Sequence, residues 1–517
     1  MDFILGKKTS TAAVFRALAQ RFAVRQGKRR HLTRTLFDTF DRRLFLAGQS
    51  LEEVREGDRV EAEWRDTTSG KRLGVMKGQV AALARDWHPA SLARALEHII
   101  KVRALLPMLT LHTVRSAAEL LDEQGTTVVH VMVDVNTIIG CGNEAVKPPM
   151  RCVRVIMVRN YRSAFQLATL LLENLRGVTR TTLGVPDDVL SVYSRVPLLY
   201  SSKIEVSMAP GISSTEAVQK VFARLVEIME ANQSGVVTGI DTEFLHDFRV
   251  AVRRSRSLLS QMKQSIPTEI FMKFKPEFDW LGKVTGPLRD LDVFLLKFDE
   301  YALCLDENIR SDLIPLKNYL HLVHRREQKK IAHALSSERY LRFIASWKAT
   351  LNSCWTSASA EWKGGDPAEV VAGQRILKIF RRAVKQGAAL KKRGAAAAVH
   401  ELRITCKKLR YLIEFFRPLF LPERIEPFLK SLREVQEKFG DFQDYQVHRE
   451  SLRTFAEEMV TQNEASGATV LTLWKLSETL AARQNALRKE IEQNVKSFFS
   501  KKNRAQFRSL FSCTIKK

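Results

Sequence analysis

Two eleven-residue blocks, HDFRVAVRRSR (His246–Arg256) and HELRITCKKLR (His400–Arg410), stand 154 residues apart in the chain (400 − 246 = 154). Further along, GPLRDLDV (286–293) and GDFQDYQV (440–447) keep that spacing at Gly286/Gly440, Asp290/Asp444 and Val293/Val447. Chance likeness between amphipathic helices does not hold one register across two blocks, so the spacing implies a duplicated unit. The repeats are expected at 214–365 and 366–517. Beyond Ser214, stretches such as STEAVQKVFARLVEIMEANQ have helical periodicity and strand signals nearly vanish.

On a helix at about 100° per residue, His246, Arg249, Arg253 and Arg256 form one stripe, with Arg254 flanking it. Phe244, Phe248, Val252, Leu258 and Leu259 fall on the opposite side. In the second block His400, Arg403, Lys407 and Arg410 form the stripe, Lys408 flanks it, and Leu402, Cys406, Leu409, Leu412 and Ile413 form the back. Like charges one turn apart repel by a few tenths of a kcal/mol per pair, roughly. Asp247 and Glu401 lie off the stripes, so no acidic residue of either block relieves that repulsion. The compensating charge is expected from an anion, and arginine's planar fork suits phosphate oxygens.

Composition agrees without choosing the anion. Lys and Arg number 83 against 57 Asp and Glu, a formal +26, which attracts nucleic acid, anionic lipid or polyphosphate. At 517 residues the chain is long enough for several cores. No apolar run reaches the length of a membrane span, and Lys7, Lys8 and Arg16 interrupt the N-terminus before a signal core forms, so a cytoplasmic protein is expected. The six cysteines are scattered without CxxC spacing, which argues against structural zinc and for a reducing compartment.

Before the helical half the texture is mixed. TTVVHVMVDV (126–135) and RCVRVIMVRNY (151–161) read as strands, and IIGCGNEAVKPP between them reads as a loop. A boundary is expected near 200–214. The C-terminal SKKNRAQFRSLFSCTIKK suits either a disordered arm or a packed helix.

The H-x-x-R-x-x-x-[RK]-[RK]-x-R pattern, present twice, with LRDLDV and GDFQDYQV behind the two copies, resembles the CHAD (conserved histidine α-helical) domain family over residues 214–517. The resemblance implies an all-α domain of two duplicated helical bundles related by a pseudo-twofold, with both stripes facing a shared cavity. It further implies binding of inorganic polyphosphate and association with polyphosphate granules. Carried onto this sequence, the polyphosphate-binding residues are His246, Arg249, Arg253, Arg254, Arg256 and Arg289, with His400, Arg403, Lys407, Lys408 and Arg410. The copies differ beside the shared aspartate, Arg289 in the first and Gln443 in the second. Asp290 and Asp444 suit helix capping or arginine orientation better than catalysis.

TRTLFDTFDRRLFLAGQSL (33–51), LTLHTVRS (109–116) and VHVMVD (129–134) resemble a CYTH domain, an α+β tunnel barrel that acts on triphosphates. Residues 30–205 are assigned to it, with 1–29 as a basic N-terminal arm. The family's opening ExExK is missing, EEV follows Leu51 where the family carries arginines, and VRVIMVR (153–159) lacks the expected carboxylates. Metal-assisted phosphoryl chemistry needs such ligands. The domain is read as degenerate, kept for architecture or for binding by residues such as Arg115. No catalytic residue, metal or cofactor is assigned.

The leading expectation is a non-enzymatic polyphosphate binder, whose histidines should tighten binding as pH falls. The alternatives are a metal-dependent triphosphatase of the CYTH type and a non-specific RNA- or DNA-binding protein. A membrane role is not expected, and the sequence does not speak to oligomeric state.

Overall fold

The computed structural model describes residues 1–140, 149–181, 200–358, 361–393 and 396–512. Between Ser201 and Ser202 it divides into a unit built on an antiparallel sheet and a helical unit.

In the first unit the strands are β1 (Asp2–Leu5), β2 (Ala23–Gln26), β3 (Arg30–Thr39), β4 (Gln49–Glu56), β5 (Arg59–Asp66), β6 (Arg72–Lys77), β7 (Leu105–Leu121), β8 (Thr127–Gly140), β9 (Met150–Met157) and β10 (Val178–Thr181). Their order is β10-β1-β9-β8-β7-β3-β4-β5-β6, with β2 beside the end of β7. Residues 1–29, expected as an arm, instead supply β1, α1 (Thr11–Leu18) and β2. Phe3 and Leu5 are buried, and β1 fills the place between β9 and β10, so removing it would open the sheet.

The expected tunnel barrel is not closed. Among the described residues β10 and β6 are the two ends of the path and do not pair with each other. Helices cover one face of the sheet at both ends. Val14, Phe15 and Leu18 of α1 and Ala168 and Leu172 of α4 (Arg162–Glu173) bury Val131, Val133, Val153 and Val155. The short α2 (Arg43–Leu46) and α3 (Ala90–Ile100) do the same for Leu51 and Trp64. Apolar burial against helices therefore stabilises the open sheet without closure. The Gly- and Pro-rich segment expected as a loop lies largely outside the described residues.

In the helical unit the duplication is visible in the helix starts. α5 (Ser214–Thr238) and α6 (Thr242–Gln261) are followed by α7 (Thr268–Val284), α8 (Gly286–Ala302), α9 (Ile314–Leu335) and α10 (Glu338–Leu351). The second copy supplies α11 (Ala368–Arg393), α12 (Ala396–Phe415), α13 (Pro422–Thr461), α14 (Gly467–Phe498) and α15 (Lys501–Ser512). Ser214 and Ala368, Thr242 and Ala396, and Thr268 and Pro422 are all 154 apart, the offset of the motifs (for the first pair, 368 − 214 = 154). The copies diverge where α7 and α8 are separate helices and α13 is one helix of 40 residues. Pro287 stands where the second copy has Asp441. Proline lacks the amide needed to continue the ladder but is tolerated in the first turn of a new helix.

Each copy has an aromatic core. Trp347 meets Phe222 and Phe278 edge-on, with ring centroids 5.0 and 5.5 Å away. In the second copy Phe380 stacks on Phe507 at 3.8 Å. Phe507 and Phe511 are buried, so the C-terminal segment is a packed helix through Ser512, with 513–517 outside the described residues.

One close approach fixes α6 against α5. A Cβ added to Gly235 would lie 2.3 Å from the buried Phe244 ring. Gly235→Ala is therefore expected to destabilise the protein by about 1–3 kcal/mol through overpacking, measurable by chemical denaturation. Unchanged stability would contradict this packing.

Candidate functional site

The turn into α6 sets the position of the first motif. Gly239 takes the left-handed conformation that ends α5 (φ +66°), and Asp241 Oδ1 then accepts the Glu243 and Phe244 amides at 2.9 and 3.2 Å. His246 follows one turn later. The apolar backs of both motif helices are buried as their spacing requires, from Phe244 and Phe248 on α6 to Leu409 and Leu412 on α12.

The opposite faces meet at a cavity of about 750 Å³. It is lined by His246, Arg249, Arg253 and Arg256 of α6, Arg289 of α8, and Arg403, Lys407 and Lys408 of α12. The remaining three of the eleven predicted residues are not in its lining. His400 Nδ1 lies 2.6 Å from Gln443 Oε1. Arg254 donates to Glu414 at 2.9 Å, and Arg410 Nε stands 3.6 Å from the same carboxylate. The two basic helices are tied directly, since Arg253 Nε donates to Tyr411 Oη at 3.0 Å.

Sequence reasoning missed several carboxylates. Glu414 lies one turn beyond Arg410 on α12, where the first copy has Ser260. Asp279 of α7 accepts from Arg256 at 2.7 Å. Asp290 and Asp444 also line the cavity, and neither caps a helix: Asp290 lies inside α8 and Asp444 in mid-α13. Lys297 Nζ holds Asp444 at 3.0 Å. The i,i+4 position made Glu414 findable in the sequence; the pairs between helices were not.

The stripes are thus partly neutralised. Among the described residues Arg249, Arg253, Arg403, Lys407 and Lys408 have no ion-pair partner. Burial, then the charges of Arg253, Arg403 and Arg410, push the Lys407 ammonium down to about 6. Arg249 falls to about 10, through burial first and Arg253 second. Arg403 is lowered for the same two reasons, while burial raises the Asp290 carboxyl. The arginine and lysine shifts say that the cavity holds more positive charge than its surroundings solvate, whereas Asp290 is raised because its burial outweighs the pull of Arg249 and Arg289. Negative charge beside these groups would offset both the cost of their burial and their mutual repulsion.

In the sheet unit the arginines are paired instead. A smaller cavity of about 270 Å³ is lined by Arg34, Arg65, Arg72, Arg115 and Arg154 with Glu52 and Glu63. Arg115 grips Asp134 through two bonds of 2.8 and 2.7 Å, and Arg154 reaches Asp2 at 2.9 Å. Arg34 pairs with Glu52, and Arg65 and Arg72 share Glu63. These carboxylates are engaged by arginines. Among the described residues no group of three or more His, Cys, Asp or Glu is disposed to hold a metal ion.

Residues 220–453 match the family model of the CHAD domain. The solved CHAD domain from the plant Ricinus communis is 23% identical, with a TM-score of 0.48, covering 57% of this chain and 96% of that one. PptA from Streptomyces chartreusis is 14% identical, with a TM-score of 0.45, covering 55% of this chain and 99% of that one. No curated protein matches the chain in sequence. The repeated basic motif, the paired helical copies around it and the family match converge: the helical unit of this chain carries a CHAD domain, at residues 220–453.

Proposed function

We propose that the helical unit binds inorganic polyphosphate without catalysis, through the cavity between α6 and α12, and that it can thereby associate with polyphosphate granules. The observation that carries the reading is the set of five basic side chains that, among the described residues, line a space of about 750 Å³ without ion-pair partners. A flexible chain with one negative charge per phosphate suits a concave surface that needs several anions close together. His246, at the cavity edge, and His400, held by Gln443, are read as contacts or positioning groups of the same site.

Nucleic acid shares the charge but fits less well. Single-strand binders offer aromatic faces for base stacking, whereas Tyr411 is only 2% exposed and Phe415 is fully buried. Long polyphosphate is expected to displace labelled RNA from the protein, with RNA unable to displace polyphosphate at equal phosphate concentration. No described helix is long and apolar enough to cross a membrane.

Retention on immobilised polyphosphate across a salt series tests the proposal. Five neutralised phosphates would give a log–log salt slope of about −3.5, so a fourfold rise in salt weakens binding about 100-fold. Retention indifferent to salt would refute it. For the sheet unit we infer a role in architecture or binding, not hydrolysis. Clear phosphate release from tripolyphosphate with magnesium or manganese would overturn that reading.

A further inference from the structure

A second cavity, of about 380 Å³, lies at the seam between the two repeats, where the turn after α6 meets α11. Its lining includes Lys263, Arg375 and Lys378 and no aspartate or glutamate. That separates it from the cavity between α6 and α12, into which Asp279, Asp290 and Asp444 project. Arg375 donates Nη2 to Gln261 Oε1 at 2.9 Å, while its buried Nε has no hydrogen-bond partner. Among the described residues Lys263 and Lys378 have no ion-pair partner. The two cavities adjoin at Ser260, which is in the lining of both. Cationic groups also run from one to the other: Lys408 on the wall of the first is held below its ordinary range by burial and then by Arg382 and Arg375 of α11.

We infer that this seam cavity is a second phosphate subsite, continuous with the first, which Lys263, Arg375 and Lys378 hold open for the extension of a long polyphosphate chain. The inference rests on the function proposed above and adds a chain-length preference to it. A short oligophosphate neutralises the cations between α6 and α12 and leaves the seam untouched. A longer chain leaves the first cavity past Ser260 and meets three further cations with no carboxylate to repel it. The carboxamides of Gln261 and Gln374 offer additional donors to non-bridging oxygens. Arg375 supplies the most fixed charge of the three, and the exposed Lys263 and Lys378 supply mobile ones.

The test compares tripolyphosphate with long-chain polyphosphate on the full chain. Lys263→Glu with Lys378→Glu is the variant, and Arg381→Glu with Lys385→Glu is its charge-matched control. Both control residues are exposed on α11 and outside the seam lining. The seam variant is expected to weaken long-chain binding at least about 10-fold and to lower its salt slope by about 2, with tripolyphosphate affinity unchanged within about twofold. Melting temperature and circular dichroism confirm that each variant is folded; because the substituted lysines are exposed, they should match wild type. Equal loss for both probes, equal loss in the control variant, or unchanged long-chain affinity would each overturn the inference. If wild type bound neither probe, the proposed function itself would fall, and the subsite with it.

Discussion

Arg403→Glu is expected to weaken polyphosphate binding at least about 100-fold, and the double variant with Arg249→Glu to abolish retention at physiological salt. Arg403 is the cleaner probe because it is anchored least. Its Nε is buried without a hydrogen-bond partner, and burial with the neighbouring charge of Arg253 disfavours its charged state. A buried charge left in that condition costs stability unless something outside the protein completes it. Arg249 also has a structural task, donating Nη1 to Thr285 Oγ1 at 2.9 Å and to the Gly282 carbonyl at 3.2 Å. Its reversal alone would confuse lost packing with lost binding. Arg254→Gln supplies the contrast: Glu414 already occupies Arg254, so affinity should change by less than about threefold. The readout is fluorescence anisotropy of labelled polyphosphate, with melting curves to confirm folding. A loss below about threefold for a folded Arg403→Glu protein would remove the cavity from the binding account.

The order of those effects could not be ranked from the sequence, although its geometry largely could. The stripe assignment needed only 100° per residue, and the buried backs of α6 and α12 follow it residue by residue. The 154-residue register fixed the starts of α11, α12 and α13 once α5, α6 and α7 were placed. Relief of the stripes by neighbours was hidden, because Asp279 reaches Arg256, and Glu414 reaches Arg254, across helices with no pattern linking them. The strands were legible by alternation, but closure was not. Whether β10 meets β6 depends on sheet curvature and on what the helices already cover, not on any local signal. The first strand was lost for a related reason: its partners β9 and β10 lie about 150 and 175 residues away, so its four residues read as the start of an arm.

Lys407→Met is expected to move stability and binding in opposite directions. Lys407 faces Arg253 of α6, Arg403 and Arg410 of its own helix, and Asp444 of α13, the only one of these that favours its charge. Burial and the three cations bring its folded value to about 6, far below the ordinary lysine value that the unfolded chain retains. Between those two values the unfolded state binds the extra proton, so this group makes the wild-type protein less stable as pH falls towards 6. The penalty is complete below about 6, where the folded protein must carry the charge as well. Removing the amine should therefore raise the melting temperature of the unliganded protein by about 2–4 °C or more, with a larger gain at pH 5.5 than at pH 8.5. Binding reverses the sign. Near pH 7.5 Lys407 of the unliganded protein is mostly neutral, and an entering phosphate chain favours the ammonium, so wild-type binding takes up a proton and weakens as pH rises. Titration calorimetry in buffers of different ionisation enthalpy reads that uptake directly. Lys407→Met should take up fewer protons than wild type by up to about one, separating this group from any other that exchanges protons on binding. Equal uptake by the two proteins, or a lower melting temperature for the variant at pH 5.5, would mean that burial and the neighbouring cations do not disfavour the Lys407 ammonium. The tension between folding and ligand charge would then have to lie with the arginines alone.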